Sequence, residues 1–475
     1  MVFSSSLFLV YFLPVFLICY YLVPRNFRNW VALAGSILFY SWGAPKFIFV
    51  ILGTTFIDFH LVRWMSGTKT RLYRRLMLLL SVSINLGLLV YFKYSGFFID
   101  NLNGFLTVFG LNGVHWTRLI MPIGISFYTF ETITYVVDVY RRVHAPLKNF
   151  WDYQLYIILF PKLIAGPIIR YHEIADQIVD RSASETADNR IIGLYRFILG
   201  LAKKVLIANV LGQQVDQIFA MGPENISSSM AWIGIIAYSF QIYYDFSGYS
   251  DMAIGLGKMM GFTFMENFNN PYISRSITEF WRRWHITLGR WMKNYLYIPL
   301  GGSRVKSQSR LFFNLWIVFL FSGLWHGAAW NFVVWGGFHG LFLILDRLFL
   351  LKWSERMGKI PSVLLTYLIT LIGWVLFRSE SLSDAWIYLG RMFSFSGDYP
   401  GWMLDSQFWA MLLVGAFFGF YGMFGSVEKW QMQVIDKPYN GRKLWIGGGI
   451  ALVLLLFSLA SVTSAGFNPF IYFRF

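Results

Sequence analysis

The clearest regularity along the chain is a series of uninterrupted apolar runs: Leu7–Val23, Leu76–Lys93, Val363–Phe377 with its flanks, Phe408–Phe424 and Leu444–Ala465. Runs near 20 residues match the hydrocarbon thickness of a bilayer when wound as helices. They do not alternate apolar with polar positions, as the strands of a membrane barrel must. In lipid every backbone polar group needs an internal partner, so helices remain as the spanning structure. The pattern therefore predicts an all-α polytopic membrane protein. With no internal repeat and no linker, residues 1–475 read as one domain. Two features complicate the count. Between Leu155 and Ile169 an apolar run is interrupted by Pro161, Lys162, Gly166 and Pro167, which predicts a broken or re-entrant segment buried in protein. Between Ile277 and Tyr295 the large side chains Ile277, Trp281, Trp284, Leu288, Trp291 and Tyr295 recur at helical spacing, with Arg282, Arg283, Arg290 and Lys293 off that face. A basic helix with an aromatic face suits the membrane interface.

Charge turns the runs into a topology. Arg63, Lys69, Arg71, Arg74 and Arg75 mark a cytoplasmic loop, because basic residues concentrate there. Residues 97–118 hold only Asp100 and Arg118 and belong outside; Arg141, Arg142 and Lys148 lie inside again. Residues 279–310 are basic and inside. A hairpin, 311–327 and 329–351, returns to Lys352, Arg356 and Lys359 inside. Residues 379–405, with Glu380, Asp384, Asp398 and Asp405, lie outside; Lys429, Lys437, Arg442 and Lys443 lie inside, which sends the C-terminus outside. The expectation is 11 to 13 membrane segments.

Composition agrees. The chain is 56% hydrophobic and 13% charged, about half the charged share of a soluble domain. The net charge of +16 belongs to the cytoplasmic loops and to contact with membrane lipids, and no pattern points to nucleic acid. The single cysteine, Cys19, excludes a disulfide framework within the chain. No basic stretch precedes the first apolar run, so that run is expected to be retained rather than cleaved as a signal.

Seven histidines are candidates for chemistry. An ionisable side chain inside a membrane is a functional-site hypothesis by default. At 1.5 Å per residue, His326 lies roughly 24 Å from the basic end of its segment and His339 roughly 18 Å from the returning basic loop. The two could face each other across the hairpin. His285 lies on the basic interfacial helix. Each could also be a core histidine bonded to a backbone carbonyl. Asp245 and Asp251, in a Tyr-Tyr-Asp-Phe-Ser-Gly-Tyr-Ser-Asp cluster with Ser247, either orient a histidine and line a polar path or cap helices, with Ser250 or Asp251 as N-cap. Gly255, Gly257 and Gly261 miss the dinucleotide spacing and read as close packing; no metal-site spacing occurs.

Glu279-Phe280-Trp281-Arg282-Arg283-Trp284-His285 with Trp291 and Tyr295, and Leu324-Trp325-His326-Gly327, resemble the two signature regions of the membrane-bound O-acyltransferases. Pro122 to Tyr128, Tyr244 to Asp251, Asn267 to Ser274 and Asn468 to Phe473 are similar to the alginate O-acetylation branch of that family, so the likeness runs nearly end to end. It implies a fold whose helices enclose a central tunnel, with His326 catalytic and His285 the second signature residue. Asp245, Ser247, Trp325, His339, Trp281, Arg282, Arg283 and Tyr295 then become candidates to line the substrate path. The implied activity is transfer of acetyl from a cytoplasmic donor, acetyl-CoA, across the bacterial inner membrane to an exopolysaccharide such as alginate or cellulose, with no bound cofactor. The implied partner is a periplasmic acetyltransferase or acetyl-acceptor protein. Acyl transfer needs a base for a hydroxyl proton and donors for the developing oxyanion, and a neutral imidazole suits the base. The residues alone also fit a transporter or flippase with a His/Asp proton relay, or a structural subunit of an assembly.

Overall fold

The computed structural model describes residues 1–117, 119–395, 404–427, 441–464 and 470–471, and among them every regular element is helical. They gather into two compact units, residues 1–186 with 257–264, and residues 187–256 with 265–475. The cytoplasmic placement of Lys429 and Lys437 and the outward placement of Phe475 concern positions outside the described residues.

The first unit is built from α1 (Leu13–Leu22), α2 (Arg28–Gly43), α3 (Ile48–Gly67), α4 (Arg71–Leu89), α5 (Ser95–Val108), α6 (Ile125–Tyr140), α7 (Phe150–Ile158), α8 (Phe160–Leu163) and α9 (Tyr171–Val179). The interrupted segment around Pro161 is indeed broken: α7 stops at Ile158, α8 restarts at Phe160, and residues 155–169 are buried. Its Lys162 pairs with Glu131 of α6, and both side chains are sealed. Asp58 of α3 is also buried and accepts hydrogen bonds from Ser81 and, at 2.8 Å, from Asn85 of α4. Polar groups in these helices thus face one another instead of lipid.

The second unit holds α10 (Ala187–Ala202), α11 (Asn209–Ala220), α12 (Ser228–Met259), α13 (Ile277–Arg283), α14 (Ile286–Trp291), α15 (Gln308–His326), α16 (Trp330–Leu345), α17 (Leu351–Met357), α18 (Lys359–Arg378), α19 (Leu382–Phe393), α20 (Ser406–Phe420) and α21 (Arg442–Ser464). Helices α10 and α12 touch through glycine. A Cβ on Gly200 would lie 2.5 Å from the Gly248 carbonyl oxygen, and one on Gly255 the same distance from that of Gly193. Close packing is therefore what Gly255 supplies.

Among the described residues six helices are long and apolar enough to cross a membrane: Ile48–Gly67, Arg71–Val108, Trp330–Met357, Lys359–Arg378, Ser406–Met423 and Leu444–Ser464. The sequence count of 11 to 13 segments included stretches that the structure forms as shorter or interrupted helices. The run from Leu7, for example, ends at Leu22, and a π-helical turn at Lys203–Ala208 separates α10 from α11.

Candidate functional site

The expected hairpin forms as α15 and α16, and glycine determines how closely the two approach. A Cβ on Gly323 would lie 2.2 Å from the Phe332 carbonyl oxygen, and one on Gly336 2.3 Å from that of Phe319. With only hydrogen at both positions the helices press together. That contact brings His326, the last residue of α15, against Trp335 of α16, with ring centroids 5.0 Å apart. His339, one turn beyond Trp335, touches the same indole at 5.1 Å. The two histidines therefore meet through Trp335. Gly373 of α18 makes room for His339: a Cβ there would fall 2.7 Å from Nε2.

The aromatic segment at 277–295 departs from expectation. It is broken at His285, whose φ of 45° is left-handed, an uncommon conformation for a side chain of this size. Helix α13 ends before it and α14 begins after it. The chain beside it imposes the break: the Ile286 amide donates to the Asn267 carbonyl at 2.9 Å, and the Asn269 amide to that of Arg283 at 2.9 Å. Ile277, Trp284, Leu288 and Trp291 turn into the protein core rather than outward. Trp281 packs with Ile277 against side chains of α15, α16 and α18, and its ring meets His339 at 4.9 Å and Trp335 at 5.5 Å.

His285 is 1% exposed. Its Nδ1 lies 3.1 Å from Asn267 Oδ1. Its ring packs on Phe246 at 4.7 Å and on Trp325 at 5.9 Å, and Trp325 touches His326 at 4.8 Å. Burial pushes its pKa down to about 3, so the ring is neutral near pH 7. Three histidines thus share one aromatic cluster, linked by Trp281, Trp325 and Trp335. Within it His285 Nε2, His339 Nδ1, Trp281 Nε1 and Trp335 Nε1 are sealed from solvent and make no hydrogen bond. A sealed polar atom without a partner costs about 1–3 kcal/mol; others occur elsewhere among the described residues, on Tyr40, Tyr128 and Tyr153 for example. Here they gather on touching rings. Indole N–H groups can only donate, whereas a neutral imidazole both donates and accepts. The cluster is therefore equipped to hold an oxygen and to move a proton.

The other sequence candidates are placed differently. Asp245 and Asp251 lie inside α12, so neither they nor Ser250 is an N-cap. Both are committed to cations: Asp245 to Lys204 at 2.6 Å, and Asp251 to Lys203 and Arg196, each at 2.7 Å. Asp245 also accepts from the Ile471 amide at 2.7 Å. Ser247 is buried. Arg283 is tied to Glu279 at 2.9 Å, while Arg282 is exposed. Tyr295 packs against Trp291, with tilted rings 5.4 Å apart. Asn267, Phe246 and Trp335 were not singled out from sequence. Asn267 could have been found by asking which neighbour orients His285, since an active imidazole needs its other nitrogen held.

A family model described as MBOAT, membrane-bound O-acyltransferase family, matches residues 137–357. The chain is 41% identical over 499 residues to a probable alginate O-acetylase AlgI of Pseudomonas putida, covering the whole of both. It is 36% identical over 431 residues to a peptidoglycan O-acetyltransferase of Helicobacter pylori, covering 84% of this chain and 80% of that one. A teichoic acid D-alanyltransferase of Bacillus subtilis is 29% identical over 259 residues, 52% of this chain and 63% of the relative.

Proposed function

The chain belongs to the membrane-bound O-acyltransferase family and is a multi-pass membrane O-acetyltransferase, and from that premise we propose that it carries acetyl from a cytosolic thioester, acetyl-CoA, through the bacterial inner membrane for O-acetylation of an exported polysaccharide. Alginate is the first substrate to test, because whole-length similarity is to probable alginate O-acetylases. The observation that carries the reading is the buried cluster of His285, His326 and His339, in which His285 Nε2 and His339 Nδ1 make no hydrogen bond. One imidazole takes the proton of the acceptor hydroxyl while a second polar group steadies the acyl oxygen. His326 and His285 are the catalytic pair in this scheme; Trp281, Trp325 and His339 line the path. The alternative, a transporter with a His/Asp relay, is the weaker reading, because Asp245 and Asp251 are taken up by Lys204, Lys203 and Arg196.

A periplasmic acetyltransferase or acetyl-acceptor protein completes the scheme, since the segments that charge places outside are short for gripping a long sugar chain, the longest clear one being 379–405. The test reconstitutes the chain in vesicles with internal acetyl-CoA and external alginate, with and without periplasmic extract. Acetylated polymer that needs the extract, and disappears with His326→Ala in a correctly inserted variant, is expected. Efficient acetylation without extract refutes the partner; normal product from His326→Ala refutes the assignment of that residue.

A further inference from the structure

One oxygen beside His285 has its identity settled by the backbone. The Thr287 amide points at the Asn267 side chain from 3.3 Å, and Thr287 Oγ1 lies 2.9 Å from the same atom. A backbone N–H can only donate, so the Asn267 atom facing it is the carbonyl oxygen, not the amide nitrogen. That same oxygen faces His285 Nδ1 at 3.1 Å. An oxygen of this kind only accepts, so Nδ1 must carry the hydrogen. A neutral imidazole has one N–H, and the lone pair is then on Nε2. This nitrogen is sealed from solvent and has no hydrogen-bond partner. The ring cannot easily turn, because Phe246 and Trp325 pack against it and its own backbone is held in the left-handed region.

We infer that Asn267 is a positioning residue that locks His285 as the Nδ1–H tautomer and so makes His285 Nε2 the proton acceptor of the acyl-transfer site. This rests on the acetyltransferase reading above. The acceptor hydroxyl attacks the thioester carbon and its proton passes to Nε2. The new C–O bond forms, the C–S bond breaks, and the leaving thiolate takes the proton back from Nε2 as free thiol. His326, against Trp335, is left on the side of the acyl oxygen. No charged side chain among the described residues makes an ion pair with His285; its ring faces Asn267, Phe246 and Trp325. Its tautomer is thus set by Asn267 alone. The neutrality that burial enforces keeps the lone pair free over the physiological range.

Two measurements on the full chain in membranes decide the matter. The first is nitrogen NMR of the histidine-labelled protein, with His285→Gln used to assign the signal. A resting His285 protonated on Nδ1 is expected, and one protonated on Nε2 overturns the inference whether or not acetyl transfer is ever detected. The second is CoA release from acetyl-CoA. Asn267→Leu should lower kcat by about 10- to 100-fold, the effect known for losing the partner that orients a metal-bound histidine, with KM for acetyl-CoA unchanged. Asn267→Asp, which keeps an oxygen toward Nδ1, should recover most of that loss and preserve the Nδ1–H signal. An Asn267→Leu protein with full kcat, or equal losses in both variants with the tautomer unchanged, overturns the positioning role. Wild-type protein that never turns over acetyl-CoA, yet shows the Nδ1–H signal, sinks the acetyltransferase reading and leaves the tautomer standing.

Discussion

Replacing Gly323 with alanine should disable the site without touching any residue of it. The added Cβ would lie 2.2 Å from the Phe332 carbonyl oxygen, and 3.2 Å from the Gly336 Cα. Ordinary contact begins near 3.4 Å, so α15 and α16 must part by about 1.2 Å locally. Neither obstacle is the end of a flexible side chain; both are helix backbone, so the strain is shared by the whole hairpin. Overpacking of this kind costs about 1–3 kcal/mol. His326 ends one helix and Trp335 lies on the other, so their 5.0 Å contact opens as well. A displacement of about 1 Å at a reacting centre can cost about 100-fold in rate. Gly337→Ala is the matched control. Its Cβ would meet Leu320 Cδ2 at 3.6 Å, an ordinary contact, and helix propensity favours alanine over glycine by about 1 kcal/mol. Thermal unfolding in detergent and acetyl transfer in membranes should therefore separate two glycines that differ by 14 residues and share one hairpin. If Gly323→Ala keeps full activity and stability, or Gly337→Ala is the more damaging, the close approach does not position His326.

Three further outcomes follow from the same geometry. Asp245→Asn should leave Lys204 buried without its counter-charge and destabilise the protein by about 3–5 kcal/mol, measured by thermal unfolding, whereas a change confined to acetyl transfer would put Asp245 back in the site. Arg282→Glu should raise KM for acetyl-CoA in a salt-dependent way, because Arg282 is exposed and Arg283 is engaged with Glu279; an unchanged KM would restrict this cation to the membrane surface. His285 should make stability fall with acid: its folded pKa of about 3 lies below the ordinary 6.5, so the unfolded chain binds the proton first. The loss should begin as pH drops through 6.5 and continue toward 3, with no contribution above. His285→Gln should flatten that part of the stability profile, and an unaltered slope would show that the ring is not buried as described.

The helical class, the hairpin and the two histidine-bearing motifs were legible because each rests on local pattern: apolar length, charge in loops, and Trp-His-Gly or Trp-Arg-Arg-Trp-His strings. The break at His285 was not. The spacing of large side chains runs on unbroken from Ile277 to Tyr295, no proline interrupts it, and its glycine, Gly289, lies inside the second helix rather than at the break; the break is imposed by Asn267 and Asn269, which take over backbone hydrogen bonds that a continuous helix would have kept. For the same reason the aromatic face was read as a membrane anchor although it packs inward. Asp245 and Asp251 were read as site candidates because an acid in an apolar stretch demands a partner. The partners are Lys203, Lys204 and Arg196 on a neighbouring helix and its π turn, and no spacing rule connects them. Asn267 opens one of the stretches that carry the family likeness, but nothing local tied it to His285, since its importance lies in which atom of a distant ring it faces.

The hidden nitrogens of the aromatic cluster also have a bearing on time. His285 Nε2, His339 Nδ1, Trp281 Nε1 and Trp335 Nε1 are all closed to solvent at once, so a thioester and a hydroxyl cannot both reach them in this arrangement. If these rings carry the transfer, some ring must swing or some helix must part before each turnover. Closure of that kind commonly limits enzymes at the microsecond to millisecond scale. On that reading the conformer seen here is the resting partner of an open one, and the interval between openings would set a ceiling on turnover that no improvement in the chemistry could raise. It also separates two pools: reagents that modify histidine from solvent would report the frequency of opening rather than the reactivity of the ring.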